Sequence, residues 1–440
     1  MTKPVERTQM MGPWLTTGLV IGTMIGSGIF MLPVSLAPLG PNALVGWVVS
    51  IAGALSIAFA FARLSRNGGG GGIQSYIEQA FGPVIAFLTT WAFWFSNWTS
   101  VAAVAIAFGA ATSRIAPLFG DDTVIILAVG AIAFLTFVNA LGVRVSGGLN
   151  LATIAIKLIP LIGVAVLLAL RGMSGAPFEP LAPAPLTIAN IATATTLTLF
   201  AMLGFENATA PVGKVRDPER TLPRALLGGT MMVGVLYLLS SSGVTFLLPA
   251  DAVAASPAPY ADVFGAYGGE TLVLVAAFAI AVSAFGTLNC LILATGELGF
   301  AMAQRRQLPA FLARTRGANT PYAAQAAGSA LAIGLVLANS SRTTAGLFTF
   351  IILLSTSGIL VVYLAGTLAA LRERGSAATK LVLGTALLFI AFAFYGSGLE
   401  ADAWCLALLA LGLANYFVMR MISSRAASPE PAAARAAPRG

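Results

Sequence analysis

Long apolar stretches, separated by short polar connections, repeat along the whole chain. Each stretch is about 20 residues or longer, which is the length that an α-helix needs to cross the hydrocarbon core of a bilayer. The pattern therefore predicts an all-α membrane protein with twelve transmembrane helices. The predicted spans are residues 13–36, 41–65, 83–113, 123–143, 150–170, 188–212, 224–248, 270–303, 321–339, 343–370, 379–397 and 401–421.

The composition excludes a soluble domain. Of the 440 residues, 58% are hydrophobic and 9% are charged, whereas about 25% of the residues of a soluble domain are charged. The chain contains no histidine, which is the usual metal ligand and the usual proton carrier near neutral pH. Cys290 and Cys405 both lie in apolar spans, so neither a disulfide framework nor a zinc site is indicated. We therefore expect no metal, nucleotide or other cofactor.

The basic residues lie almost entirely in the connections on one side of the predicted membrane. Arg114, Arg171 and Arg342 are the exceptions on the opposite side, and Lys157 lies inside a span. Because short basic connections stay in the cytoplasm, this asymmetry places both termini in the cytoplasm and the protein in the cell (inner) membrane. The net charge of +8 therefore indicates topology and not binding to nucleic acid.

The first predicted span contains an unusual run of small residues. Residues 22–30 read Gly-Thr-Met-Ile-Gly-Ser-Gly-Ile-Phe, and each glycine weakens a helix by about 1 kcal/mol relative to alanine. One interpretation is that the small residues let two helices pack closely. The other is that the helix is interrupted, which a membrane tolerates only where the freed backbone is packed in protein or lines a wet cavity.

The sixth predicted span carries a second polar interruption, with Gly204, Glu206 and Asn207 together among apolar residues. Spans 1 and 6 run in opposite directions and each begins a set of five spans. Paired interrupted spans at matching positions are typical of a transport site between inverted repeats, so the pairing favours the cavity. The predicted units are a cytoplasmic tail 1–12, a first repeat 13–170, a second repeat 188–370, two peripheral spans 379–421 and a disordered tail 422–440.

Several motifs together resemble the amino acid–polyamine–organocation superfamily of secondary transporters, over about residues 12–420. The motifs are the run 22–30, Gly71-Gly72 with Tyr76, Gly204-Phe205-Glu206 and the segment 217–225. Within the superfamily, the chain looks most like the bacterial basic amino acid/polyamine antiporter group, which includes arginine/agmatine antiporters. The resemblance implies a 5+5 inverted-repeat core of the leucine-transporter type, with helices 1 and 6 broken, that works by alternating access.

The resemblance also implies a set of substrate contacts. The α-carboxylate of an amino acid would meet backbone N–H groups of Ser27 and Gly28, and the α-ammonium would meet backbone carbonyls at both breaks. Phe200 lies where relatives place an aromatic gate over the substrate. The expected substrate-binding residues are Thr23, Met24, Gly26, Ser27, Gly28, Ser100, Phe200, Ala201 and Leu203.

The chain departs from arginine/agmatine antiporters in the region that would hold a guanidinium group. Residues 286–291 contain no aromatic side chain, and Ser100 stands where those relatives have an asparagine. The cation–π contact that stabilises a guanidinium is therefore missing on one side, which favours a smaller or neutral amino acid. The expected partners are an amino acid or amine substrate and the lipid bilayer, with a homodimer left open.

Three ionisable side chains, Lys157, Glu206 and Glu297, lie clearly within predicted spans and away from the span ends, where a charge costs at least about 2.5 kcal/mol. Lys157 either snorkels toward the inner headgroups or, as the resemblance implies, replaces a sodium ion. Our hypothesis for the second case is that it braces span 1 against span 5 and that its titration couples to transport. Glu206 is expected to have a gating or proton-linked role, with a purely structural hydrogen bond to the freed backbone as the alternative. Glu297 is expected to contact other groups of the bundle.

Three other classes of protein compete with a carrier. A channel would show rings of polar residues or a selectivity loop, and the sequence shows neither. A membrane enzyme would need an ordered set of nucleophile and base, and the absence of histidine removes most such sets. A transporter-like amino acid sensor is the remaining alternative, although the tail after Arg425 is short and without motifs.

Overall fold

The computed structural model describes residues 11–67, 72–118, 120–141, 147–206, 215–316 and 320–427. These residues are mostly α-helical, as the apolar pattern predicts. The glycine segment 68–71, Asn207 and the predicted tail residues 1–10 and 428–440 lie outside the described residues. The α-helices are α1 Pro13–Met24, α2 Leu32–Leu36, α3 Pro41–Asn67, α4 Gly72–Phe81, α5 Pro83–Ile115, α6 Thr123–Ala140, α7 Gly147–Met173, α8 Ile188–Met202, α9 Pro218–Leu247, α10 Ala250–Ala255, α11 Pro259–Gln304, α12 Tyr322–Ala338, α13 Thr344–Arg372 and α14 Ala377–Ala427.

Eight helices of the described residues are long and apolar enough to cross a membrane, namely α3, α5, α6, α7, α9, α11, α13 and α14. The helices α8 and α12 are apolar but shorter. Both α11 and α14 are interrupted at a glycine, because Gly269 has φ 77° and Gly398 has φ 83°. The second interruption separates the two predicted spans 379–397 and 401–421.

Proline marks the beginnings of several helices, since its fixed φ suits the first helical position and its missing N–H has no partner there. Pro41, Pro83 and Pro259 each begin a helix in this way. The helix α9 begins at Pro218, six residues before the predicted start of the seventh span at residue 224. Pro218 itself suits the first position, and Pro223 is accommodated inside the helix.

The helices α5 and α13 lie at the centre of the bundle, and α7 and α14 lie at its edge. Within the most apolar part of each helix, 78% of α5 and of α13 is buried, compared with 22% of α7 and 28% of α14. The central helix α5 packs against α6, α11 and α13. The helix α3 packs against α8 and α9, and α1 packs against α9. The short turn Ser27–Phe30 contacts α5, and α8 contacts α13, so the two predicted breaks lie next to the central helices.

Candidate functional site

The first break interrupts the chain between α1 and α2. The helix α1 ends at Met24, and Gly26 is extended, with φ −97° and ψ 168°. A short 3₁₀ turn then runs from Ser27 to Phe30 before α2 begins. The small residues of the run 22–30 thus coincide with an interruption of the helix.

The second break follows α8. Leu203 is extended, with φ −64° and ψ 152°, and Gly204 has φ 117°, a conformation that side chains disfavour. A β-carbon built on Gly204 would lie 2.8 Å from the carbonyl carbon of Thr23 and 3.2 Å from the Cα atom of Met24. Only a glycine allows this approach, so the two breaks are in direct backbone contact.

A cavity of about 110 Å³ lies beside this contact. It brings together most of the residues predicted for substrate binding, but Ser27 and Lys157 are not among its lining residues. Ser27 stands between the lining residues Gly26 and Gly28 and is fully buried, and its hydroxyl has no hydrogen-bond partner among the described residues. The lining residues are Thr23, Met24, Gly26, Gly28, Ile29, Phe93, Ser96, Asn97, Ser100, Val104, Phe200, Ala201, Leu203, Gly204, Glu206, Thr287, Leu291 and Ile359.

The ring of Phe200 covers one side of the cavity and rests on the backbone of the first break. A β-carbon built on Gly28 would lie 2.7 Å from the Cε1 atom of Phe200. Because that separation is shorter than any real contact to a β-carbon, a side chain at position 28 would displace the ring. Gly28 therefore allows the aromatic ring to lie directly over the 3₁₀ turn.

Hydrogen bonds hold the carboxylate of Glu206 at the second break. It accepts hydrogen bonds from the backbone N–H of Gly204, at 3.1 and 3.0 Å to its two oxygens. The hydroxyl of Tyr363 on α13 also donates to Glu206, at 2.8 Å. The ring of Tyr363 stacks on Phe205, with ring centroids 5.5 Å apart. Glu206 thus joins the break of α8 to the central helix α13.

The carbonyl of Met24, expected to meet an α-ammonium group, already has partners within the protein. It accepts a hydrogen bond from Gly26 N–H at 2.8 Å and another from the hydroxyl of Tyr237 at 3.1 Å. A carbonyl oxygen has two lone pairs, so both are used. The carbonyl of Phe200 similarly accepts from Leu203 N–H, at 3.3 Å.

Sequence reasoning missed two functional candidates, Tyr237 and Tyr363. Both are fully buried tyrosines inside predicted spans, and each hydroxyl bonds to a group at a break. A buried tyrosine usually finds a partner for its hydroxyl, so a lone tyrosine inside a predicted span is a usable signal. The sequence does not show which break it contacts.

Lys157 and Glu297 lie away from the cavity. Lys157 is buried on α7, with 3% of its surface exposed, and it lies close enough to the Cys290 thiol of α11 to interact electrostatically. Its role in coupling stays a prediction. Glu297 is exposed on α11, and the described residues do not provide the hydrogen bond or ion pair within the bundle that was expected for it.

A group of charged residues joins α3, α4 and α13 at the end of the bundle where the predicted cytoplasmic connections lie. The guanidinium of Arg63 pairs with Glu373 at 3.3 Å and donates to the carbonyl of Arg374. Arg372 donates to the carbonyl of Ala80. Burial raises the pKa of the nearby Tyr76 phenol, and the negative charge of Glu373 raises it further. These contacts join the inner end of α13 to α3 and α4.

Comparison with known proteins identifies the family. The sequence model of a family described as amino acid permease matches residues 11–419. The cadaverine/lysine antiporter of Escherichia coli (strain K12) is 30% identical over 319 residues, which cover 69% of each chain. The putrescine transporter PotE of Haemophilus influenzae is 28% identical, over 69% of this chain and 71% of the relative. The serine/threonine exchanger SteT of Bacillus subtilis (strain 168) is 30% identical, over 66% of this chain and 67% of the relative. With nearly the whole chain matched, the protein belongs to the amino acid permease family and is a multi-pass membrane transporter, not an enzyme.

Proposed function

We propose that this protein carries amino acids or related amines across the cell (inner) membrane by alternating access, with the cavity between the two breaks as the central binding site. The relatives are named as antiporters or exchangers of cadaverine and lysine or of serine and threonine, and as a putrescine transporter. The observation that carries the site is the contact of Gly204 with the backbone of Thr23, directly beside the cavity.

The backbone at the first break suits a carboxylate. Ser27 and Gly28 begin the 3₁₀ turn, and N–H groups at such a start have no carbonyl of a preceding turn to bond. Their partial positive charge favours an anion. The α-carboxylate of the substrate is proposed to bind there, and the α-ammonium is proposed to bind backbone carbonyls at the breaks, among them those of Thr23 and Leu203.

The proposed architecture has twelve spans in a 5+5 inverted repeat, with units 13–170 and 188–370 and peripheral spans 379–421. The interruption at Gly398 supports this count, because it divides α14 into two segments that are each long enough for one span. The uneven distribution of basic residues supports termini in the cytoplasm.

Two layers are proposed to close the cavity in alternation. Phe200 lies on the outer side of the breaks under this topology, and the hydrogen bond between Glu206 and Tyr363 lies on the inner side. The ion pair of Arg63 with Glu373 holds α13 further toward the cytoplasm. Release of the substrate inward requires these inner contacts to open, and Glu206 and Lys157 are proposed to link that step to protons.

Counterflow in reconstituted vesicles tests this function. Vesicles loaded with unlabelled L-threonine, L-lysine or putrescine should take up the same labelled compound, saturably, in at least one case. The amide of a transported amino acid, which lacks the α-carboxylate, should compete poorly, because the N–H groups of Ser27 and Gly28 would face a neutral group. Current that does not saturate would instead indicate a channel, and binding without flux would indicate a sensor.

A further inference from the structure

We infer that the cavity selects a neutral α-amino acid with a small side chain of the alanine, serine or threonine type, and that Asn97 and Thr287 recognise that side chain. This specificity deepens the transport function proposed above and depends on it. The relatives do not decide the matter, because those named for diamines or lysine and the one named for serine and threonine are about equally similar to the chain. The side chains and the size of the cavity are the observations that favour a small neutral substrate over a cationic one.

The cavity offers little to a second positive charge. Among the described lining residues Glu206 is the acidic one, and its oxygens already accept from Gly204 and Tyr363. A second positive charge could approach this carboxylate only by competing with the contacts that hold the second break to α13. The other acidic side chains of the predicted membrane region are directed elsewhere. Glu297 is exposed on α11, and Asp402 accepts from the hydroxyls of Ser357 and Ser397 at 3.0 and 2.7 Å. The distal ammonium of lysine would therefore have to be desolvated and to disturb the hydrogen bonds of Glu206, which is unfavourable.

A diamine meets a second difficulty. It carries two ammonium groups and no carboxylate, so the backbone N–H groups proposed to bind the α-carboxylate, those of Ser27 and Gly28, would be left facing no acceptor. An acidic amino acid is disfavoured for the converse reason, because the described residues that line the cavity include neither lysine nor arginine. What remains is a substrate whose only charges are its α-carboxylate and α-ammonium groups.

The polar side chains of the cavity differ in how many of their hydrogen-bonding groups are already used within the protein. The hydroxyl of Ser100 is engaged by Ser355 at 2.8 Å, and that of Ser96 donates to the Ser355 carbonyl at 2.8 Å. Asn97 donates through Nδ2 to the carbonyl of Phe93 at 2.8 Å. Because that carbonyl can only accept, the amide oxygen of Asn97 is directed away from it.

Thr287 is the second side chain, after Asn97, that retains hydrogen-bonding capacity for a ligand. Its hydroxyl donates to the carbonyl of Ser283 at 3.0 Å, which leaves the oxygen lone pairs as acceptors. Its methyl carbon lies 3.9 Å from the position of a β-carbon on Gly26, so Thr287 faces the first break. Together, Asn97 and Thr287 provide acceptors and a remaining amide N–H, which match a hydroxyl group because it both donates and accepts.

The size of the cavity also favours a small substrate side chain. Its volume of about 110 Å³ lies well below the roughly 300–1,000 Å³ of pockets that hold drug-sized ligands. Its walls are largely apolar, with Phe93, Leu291 and Phe200 among the lining residues. An alanine, serine or threonine side chain fits this space without a buried charge.

Competition for uptake in vesicles containing the full-length protein tests the inference. Labelled L-threonine is exchanged against L-alanine, L-serine, L-lysine, cadaverine and putrescine, each presented outside at equal concentration. We expect L-serine and L-alanine to compete and the three cationic compounds not to compete. In Thr287→Val, which removes the hydroxyl but keeps the shape, the preference for threonine over alanine should fall about 3- to 10-fold.

The conservative change Thr287→Ser keeps the hydroxyl and should restore the preference for threonine. Thr385→Val is the matched control, because Thr385 is an exposed threonine of α14 whose hydroxyl bonds to its own helix. Saturable uptake of lysine, cadaverine or putrescine in preference to threonine would overturn the inference but leave the proposed carrier intact. A threonine preference that Thr287→Val does not change would remove Thr287 from recognition, and absence of exchange for every compound would contradict the proposed function itself.

Discussion

Replacing Gly204 by alanine should separate the two breaks. The added β-carbon would lie 2.8 Å from the carbonyl carbon of Thr23 and 3.2 Å from the Cα atom of Met24. Both atoms belong to backbone, so neither can rotate away as a flexible side chain would. Overpacking of this kind costs about 1–3 kcal/mol, and the φ of 117° adds about 1–3 kcal/mol of strain for a residue other than glycine.

The combined cost of about 2–6 kcal/mol is a large part of the roughly 5–15 kcal/mol that stabilises a typical protein. We therefore expect Gly204→Ala to lower the apparent melting temperature in detergent and to abolish counterflow in vesicles. Gly130→Ala is the matched control, because Gly130 lies inside α6 and a β-carbon there meets nothing within 4 Å. That control should be neutral or slightly stabilising. Equal melting temperatures and equal uptake in the two variants would refute the contact between the breaks.

Three further changes test the groups around the cavity. Tyr363→Phe removes the hydroxyl that bonds to the Glu206 carboxylate and should cost about 1.5–3 kcal/mol of unfolding free energy. Combined with Glu206→Leu, which cannot accept a hydrogen bond, the loss should be smaller than the sum of the single losses, and strict additivity would show that the bond contributes nothing. Lys157→Gln should flatten the dependence of uptake on pH if the lysine couples transport to protons, and an unchanged pH profile would reject that coupling. Arg63→Gln should destabilise the inner end of the bundle by about 0.2–1 kcal/mol, because its ion pair with Glu373 is partly exposed, and the effect should shrink at high salt; a destabilisation that is independent of salt would point to the hydrogen bond with the Arg374 carbonyl instead.

The helical class and the positions of both breaks could be predicted from the sequence. A bilayer imposes a fixed helix length, so the apolar stretches alone located the helices, most of them to within a few residues. The breaks were visible because glycine and polar residues interrupt a helix where lipid offers no hydrogen bonds. Gly26 and Gly204 therefore identified the interrupted segments without any knowledge of their partners.

The partners themselves depended on the tertiary structure. The pairing of Glu206 with Tyr363 joins residues on α8 and α13, and the seating of Phe200 on Gly28 joins the two breaks. No periodicity predicts such pairs, because lipid tails are as apolar as the interior of the bundle. In a soluble protein the polar face of a helix shows which side is exposed to water. In this protein the lipid-facing side and the buried side of a helix are both apolar, so the sequence does not distinguish them.

The sequence by itself thus determined the family, the number of apolar stretches and the two places where the backbone is opened. Only the tertiary structure decided that these places touch, that Tyr237 and Tyr363 hold the groups around them, and that Asn97 and Thr287 remain open to a ligand. The physical reason is that the length of a membrane helix and the hydrogen bonding of its backbone are local requirements. The side chains that line a cavity, in contrast, are brought together by contacts between helices that are distant in the chain.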